Sequence, residues 1–75
     1  MLLIYEPQYK ILGQNIAFYR KRRDITQEEL AEAVGVNNVH LSRIETGVSA
    51  ASLDTVFAIA KALDVEPYKL FQDKA

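Results

Sequence analysis

A capping box followed by a glycine stop constrains this chain more than any other feature. Thr26 is followed three residues later by Glu29, a pattern in which each side chain satisfies the backbone N–H of the other residue at a helix N-terminus. The helix that starts there reaches Gly35, a residue suited to the left-handed position after a helix end. The sequence therefore predicts a short helix with a sharp beginning and a sharp end.

A second short helix is predicted almost immediately afterwards. Asn37 is a good N-cap, so this helix is expected to begin at Asn37 or Asn38. Leu41 and Ile44 then keep helical spacing until Gly47 stops the helix. Two such helices joined by a tight turn form a helix-turn-helix unit, here over residues 26–47. Because neither helix would be stable alone at this length, both must pack against other helices.

Three further helices are predicted around this unit. The first follows Pro7 and carries a stripe of Leu12, Ile16 and Tyr19. The fourth is capped by Ser52 and has six apolar positions, namely Leu53, Val56, Phe57, Ile59, Ala60 and Leu63. A short fifth helix begins at Glu66-Pro67 and carries Leu70 and Phe71. The predicted fold class is therefore all-α, with about five short helices.

The organisation expected from length is one domain over residues 1–75, since 75 residues leave no room for a second. Residues 1–6 are expected to form an N-terminal extension. Strand-like composition is confined to residues 2–5, so the extension is predicted to contain a short extended segment.

Composition removes several classes of function. Cysteine is absent and His40 is the only histidine, so neither a metal site nor a cofactor is expected. No histidine–carboxylate or Ser/His/Asp arrangement indicates an enzyme. The apolar start of the chain is too short to span a membrane and lacks the features of a signal peptide, so the expected location is the cytoplasm.

The charge distribution supports two interpretations. The formal net charge is −1, whereas nucleic-acid-binding domains are often strongly basic. However, four of the nine basic residues lie together at positions 20–23. Such a cluster can bind phosphates even in a slightly acidic chain. The alternative is that these cations merely end a helix in solvent.

The motifs together resemble a known family. The run TQEELAEAVGV from Thr26, continued by LSRIETG from Leu41, is similar to the Xre or phage-repressor (Cro-like) helix-turn-helix family. The stretches SLDTV from Ser52 and IAKALDV from Ile59 are similar to the fourth helix of that family. The resemblance covers about residues 12–71 and implies a lambda-repressor-like DNA-binding domain. The implied function is that of a sequence-specific transcriptional regulator, a repressor that reads a two-fold operator.

In such a domain the helix over residues 38–46 lies in the major groove. With Leu41 and Ile44 facing the core, its other face is expected to present polar residues and one valine to the bases. Arginine can bind guanine and asparagine can bind adenine through two hydrogen bonds, and valine can contact a thymine methyl. The residues predicted to read bases are Asn38, Val39, Ser42 and Arg43. The alternative is that these residues are ordinary solvated surface.

A second group is predicted to contact the DNA backbone. Gln27 lies in the first turn of a helix whose free N–H groups can bind a phosphate. The whole predicted group is Gln27, Asn37, Thr46, His40, Arg20, Arg22 and Arg23. For His40, packing against the preceding helix is the favoured alternative. The resemblance also implies that Arg20 forms a structural pair with Glu45, which locks the scaffold to the reading helix.

The expected partners are a double-stranded DNA operator and a second copy of the chain. A single reading helix has limited affinity, so such domains usually dimerise. Candidate dimer surfaces are Leu2, Leu3, Ile4, Tyr5 and Phe18, or the C-terminal helix. Alternatively, residues 2–5 fold back over their own domain. A competing function is an antitoxin or another protein-interaction module that retains the fold. The sequence does not separate a phage repressor from an antitoxin or a restriction-modification controller.

Overall fold

A computed structural model describes residues 4–73 of the chain. It contains four α-helices, α1 (Glu6–Arg22), α2 (Gln27–Val34), α3 (Asn38–Thr46) and α4 (Leu53–Leu63), and one 3₁₀ helix (Pro67–Phe71). No strand occurs within the described residues. The all-α prediction is confirmed, with two differences: the first helix has 17 residues, and the fifth element is a five-residue 3₁₀ helix rather than an α-helix.

The N-terminal boundary was predicted wrongly. Helix α1 already includes Glu6, and Ile4 and Tyr5 lie in a turn rather than in an extended segment. Pro7 explains the early start, since its fixed φ suits the first helical turn, where Glu6 also faces the positive end of the helix dipole. Leu2 and Leu3 lie outside the described residues.

The capping box is confirmed at α2. Thr26 Oγ1 accepts a hydrogen bond from the Glu29 backbone N–H at 3.1 Å, and Glu29 Oε1 accepts one from the Thr26 N–H at 2.9 Å. The Thr26 backbone N–H, and secondarily its hydroxyl, favour the charged carboxylate and lower the pKa of Glu29. At the other end Gly35 is left-handed, with φ of 77°. The helix therefore has both predicted termini.

The core forms where all five elements meet. Its fully buried side chains are large and aliphatic, and each contributes roughly 1.5–3 kcal/mol through removal of apolar surface from water. They are Ile16, Leu30, Leu41, Ile44, Val56, Ile59, Leu63 and Leu70.

The apolar face of α4 is narrower than predicted. Val56, Ile59, Ala60 and Leu63 are buried, but Leu53 is 64% exposed and Phe57 51% exposed. Of the six apolar positions that the sequence shows on this helix, the core therefore takes four. The buried four define one stripe of the helix, and Leu53 and Phe57 lie one turn apart beside it.

Two contacts of α1 determine where its neighbours lie. Gly13 lies against the end of α3, and a Cβ added to it would stand 2.3 Å from the carbonyl oxygen of Ile44. Only glycine permits so close an approach of the two backbones. Farther along, buried Asn15 donates through Nδ2 to the carbonyl oxygens of Leu70 and Gln72, each at 2.8 Å. These bonds hold the 3₁₀ segment against α1.

Candidate nucleic-acid interface

Helix α3 begins where the sequence predicts. Asn37 has extended backbone, and its side-chain oxygen accepts hydrogen bonds from the N–H groups of Val39 at 2.7 Å and His40 at 3.4 Å. Two of the free donors at the helix start are thereby satisfied. Asn37 is thus the N-cap, and Asn38 is the first helical residue.

The two faces of α3 differ sharply in exposure. Leu41 and Ile44 are fully buried against the rest of the domain. On the outward side Asn38, Val39, Arg43 and Thr46 are exposed, and Ser42 is half-buried. Val39 is 58% exposed although it is apolar, and it stands in the first turn of the helix. The predicted base-reading residues therefore share one accessible side of a helix whose other side is held in the core.

The C-terminal end of α3 is fastened to both preceding helices through Glu45. Its carboxylate accepts from Arg20 Nε at 2.7 Å and from Arg20 Nη2 at 3.1 Å. It also accepts from Gln27 Nε2 at 2.9 Å. Because Arg20 belongs to α1 and Gln27 to α2, one buried carboxylate joins three helices. Such a bidentate, charge-assisted arrangement sets orientation as well as energy.

This network limits how many N–H groups of Arg20 are available to contact DNA. Besides the two bonds to Glu45, Arg20 Nη1 donates to the carbonyl oxygen of Ile25 at 2.9 Å. The side chain is only 11% exposed. Three of the five guanidinium N–H groups are therefore used inside the protein. Arg20 is chiefly a positioning residue, and at most one edge of it faces outward.

Gln27 and Thr46 also have internal partners that the sequence analysis missed. The bond from Gln27 to Glu45 spans 18 positions, and no spacing rule signals it. Thr46 Oγ1 lies 3.2 Å from the carbonyl oxygens of both Ser42 and Arg43, one turn back in its own helix. A hydroxyl has a single hydrogen to donate, so Thr46 must give up this contact in order to donate to a phosphate.

The remaining predicted backbone contacts are not gathered on α3. His40 is exposed on α3, but Arg22 and Arg23 lie at the end of α1. The Arg22 guanidinium lies over the Phe18 ring, 5.5 Å from its centroid. Arg23 Nη1 donates to the carbonyl oxygen of Leu63 at 3.3 Å, which turns it towards α4.

Residues 4–73 contain neither a membrane-spanning helix nor a metal-binding cluster. No helix in that range is long and apolar enough to cross a membrane. No group of three or more His, Cys, Asp or Glu side chains in the same range is placed to hold a metal ion.

Comparison with known proteins places this geometry in a family. The Helix-turn-helix family model HTH_3 matches residues 16–70, which include all of α2, α3 and α4. The chain belongs to this family. Its resemblance to the Xre and phage-repressor type of DNA-binding transcriptional regulator is thus confirmed.

Three relatives illustrate the range of the family. The antitoxin PezA of Streptococcus pneumoniae is 38% identical over 55 residues, which are 73% of this chain and 35% of that protein. The restriction-modification controller C.AhdI of Aeromonas hydrophila is 31% identical, with a TM-score of 0.83 over 87% of this chain and 98% of the other. The biofilm regulator SinR, known from Bacillus subtilis, was solved in complex with DNA and is 34% identical, with a TM-score of 0.77 over 81% of this chain and 98% of the other.

The lengths of these relatives differ. The chain spans about a third of the antitoxin but nearly all of the solved controller chain. Each match nevertheless covers more than two thirds of this chain.

Proposed function

We propose that this chain is the DNA-reading domain of a transcriptional repressor, which places α3 in the major groove of a two-fold operator. One observation carries the proposal: α3 presents an accessible polar stripe, while its opposite face is buried and its end is tied down through Glu45. A reading helix needs this combination, since base contacts discriminate only when the helix cannot rotate or tilt to accommodate a wrong base.

Each outward residue of α3 has a chemical match on a base edge. Arg43 is the residue for guanine, where a guanidinium donates to both O6 and N7. Asn38 fits adenine, and the exposed Val39 fits a thymine methyl group. Ser42 is half-buried and serves as a short-range donor or acceptor beside Arg43.

Backbone contacts surround this stripe. Asn37 and His40 lie at the start of α3, and Gln27 lies at the start of α2, where the helix dipole favours a phosphate. Arg20 supplies its outward edge, while Thr46, Arg22 and Arg23 are peripheral contacts. These groups set the register of the protein on the duplex without reading sequence.

A second copy of the chain is the partner that a two-fold operator requires. The face of α4 that carries Leu53 and Phe57 is well suited to it, because Lys61 follows one turn later and Asp54 lies beside Leu53. If two α4 helices pair antiparallel about an axis near Phe57, the apolar residues meet and Asp54 faces the partner's Lys61. A surface that is self-complementary in this way is what a two-fold interface demands.

Among the dimer surfaces expected from sequence, Ile4, Tyr5 and Phe18 are also exposed. Phe18, however, already contacts the Tyr19 ring edge-on at 5.0 Å and lies under Arg22. The α4 face is therefore the surface that we favour.

Selection of bound sequences from a random duplex pool tests the whole proposal. We expect an enriched motif with two-fold symmetry and half-sites about 10–10.5 base pairs apart, or a multiple of that spacing. The logarithm of the binding constant should fall linearly with the logarithm of the salt concentration. Arg43→Ala is the informative variant, and Lys21→Ala, which removes an exposed cation from α1, is its matched control. Failure to enrich any motif would overturn the proposal.

A second candidate function is that of an antitoxin or another protein-interaction module. It is favoured by the net charge of −1 and by the similarity to PezA. The two candidates separate at low salt: a DNA-reading domain binds random duplex weakly through phosphates, whereas an interaction module does not.

A further inference from the structure

A cleft lies on the side of the domain formed by α1, α4 and the 3₁₀ helix. It has a volume of about 350 Å³, and no residue of α2 or α3 lines it. Its charged residues are Arg22, Arg23, Asp64 and Lys69, and its remaining lining is Tyr19, Leu63 and Val65. It is therefore separate from the reading face, and its size falls in the range of small-molecule sites.

The cleft concentrates positive charge in a chain that is acidic overall. Three cations and one carboxylate line it, whereas the whole chain has a net charge of −1. Helices α1 and α4 both end here, and each C-terminus adds about −0.5 elementary charge. Together the two helix ends offset about one of the three positive charges, and Asp64 offsets another. A net positive charge therefore remains in the cleft.

The cations have weaker internal contacts than Arg20, since Arg22 lies over the Phe18 ring and Arg23 donates to the Leu63 carbonyl oxygen at 3.3 Å. Arg23 Nη1 stands 3.9 Å from Asp64 Oδ2, and both side chains are largely in solvent. Within residues 4–73 neither Arg22 nor Lys69 forms an ion pair. Arg20, by comparison, reaches its carboxylate at 2.7 Å in a nearly closed site. The cleft therefore has charged donors that an added anion can recruit without breaking a tight internal pair.

The rest of the lining offers little apolar surface to a ligand. Leu63 is fully buried, and Tyr19 and Val65 are half-buried at the edge of the core. The accessible lining of the cleft is therefore mostly polar. Such a lining suits a small charged group that forms charge-assisted hydrogen bonds with the cations.

We propose that this cleft binds a small anion through a carboxylate or phosphate group, which Arg22, Arg23 and Lys69 hold. The proposal does not rest on the DNA-reading function, although it gives a second ligand to Arg22 and Arg23, which are proposed above as peripheral contacts to the DNA backbone. Because Tyr19 precedes Arg20 on α1, the anion would lie one residue from the network that orients α3.

Amide chemical shifts of the ¹⁵N-labelled chain, measured without DNA, test the proposal. The probes are inorganic phosphate and benzoate, and sodium chloride at matched ionic strength is the reference. We expect saturable shifts at Tyr19, Arg23, Asp64, Val65 and Lys69, and none along α3. A response to benzoate alone identifies a carboxylate ligand, a response to phosphate alone identifies a phosphate ligand, and a response to both identifies a general anion site.

Two variants make the outcome decisive. The double variant Arg23→Gln with Lys69→Gln should weaken binding by roughly tenfold or more, since it removes two charge-assisted hydrogen bonds. Lys21→Gln removes an exposed cation that does not line the cleft, and it should leave binding unchanged. The proposal is overturned if neither phosphate nor benzoate shifts these amides, if the shifts are unsaturable, or if chloride produces the same shifts.

Discussion

Arg20 Nε donates to Glu45 Oε2 at 2.7 Å, and this ion pair fixes the end of the reading helix to the first helix of the scaffold. The two residues are 25 positions apart, and both side chains are nearly closed to solvent. Gln27 donates to the other oxygen of the same carboxylate. A single acidic side chain therefore joins the end of α3 to both α1 and α2.

Glu45→Ala should destabilise the domain strongly. The substitution leaves the Arg20 guanidinium shielded from solvent without its counter-charge, which typically costs about 3–5 kcal/mol. Urea unfolding measures the loss, and the double variant Arg20→Leu with Glu45→Leu is the control. Because the double variant leaves no unpaired charge, we expect it to lose less than Glu45→Ala alone. A double variant that is equally unstable would contradict this account of the pair.

Arg43→Ala and Gln27→Ala should have different effects on DNA binding. Loss of a bidentate arginine contact should reduce discrimination at one base pair by about 1–3 kcal/mol. Gln27→Ala should weaken binding to all sequences alike, and should also lower stability because its bond to Glu45 is lost. Competition binding against a panel of single-base operator variants measures both. An unchanged sequence preference for Arg43→Ala would show that another face of α3 reads the bases.

Gly13→Ala should destabilise the domain by about 1–3 kcal/mol, since the new methyl group would meet the Ile44 carbonyl oxygen at 2.3 Å and overpack the contact between α1 and α3. Thermal unfolding followed by circular dichroism gives the change. Gln14→Ala, at the exposed next position of the same helix, is the control and should be nearly neutral. Equal stability of the two variants would mean that α1 can move away from α3 at no cost.

Asp64→Gly should stabilise the domain by about 1 kcal/mol. Asp64 is the C-cap of α4 and has a φ of 56°, a left-handed conformation that is costly for a residue with a Cβ. Its carboxylate also faces the negative end of the helix dipole. Asp64→Ala keeps a Cβ and should gain less, so chemical denaturation of the two variants isolates the backbone contribution. If Asp64→Ala stabilises the domain more than Asp64→Gly does, the stabilisation comes from removal of the carboxylate charge and not from the backbone conformation.

A charge exchange on α4 tests the proposed dimer face. Asp54→Lys alone and Lys61→Asp alone should each weaken association, since each places like charges opposite one another across the antiparallel pair. The double exchange restores opposite charges and should recover dimerisation. Sedimentation equilibrium of the free chain and of the chain bound to an operator duplex gives the association constants. If neither single variant weakens association, the copies do not meet through this face.

The local parts of the fold were predictable because their causes lie within a few residues. Each helix terminus of α2 and α3 depends only on hydrogen bonds to nearby residues. The structure has these termini where the sequence predicts them, namely at the Thr26–Glu29 capping box, the Asn37 N-cap, Gly35 and Gly47. Helical spacing likewise identified the buried side of α3. The Arg20–Glu45 pair was expected only through family resemblance, because nothing in a spacing of 25 residues signals it.

The apolar pattern of α4 does not by itself show which of its residues are buried, for a physical reason. Apolar residues occupy more than half of its circumference, so periodicity alone does not tell which stripe meets the core. The neighbouring helices leave Leu53 and Phe57 outside. Exposure of these two residues became visible only in the assembled fold.

By itself the sequence determined where α2 and α3 begin and end, which residues of α3 stand opposite its core face, and which family the chain resembles. Tertiary structure decided which polar groups already have hydrogen-bond partners inside the protein. Gln27 and Thr46 have partners inside the protein, Gly13 brings two backbones together, and three cations converge on a cleft. The reason is that capping and helical periodicity act over at most a few residues, whereas these contacts depend on how distant helices approach one another after the core has formed.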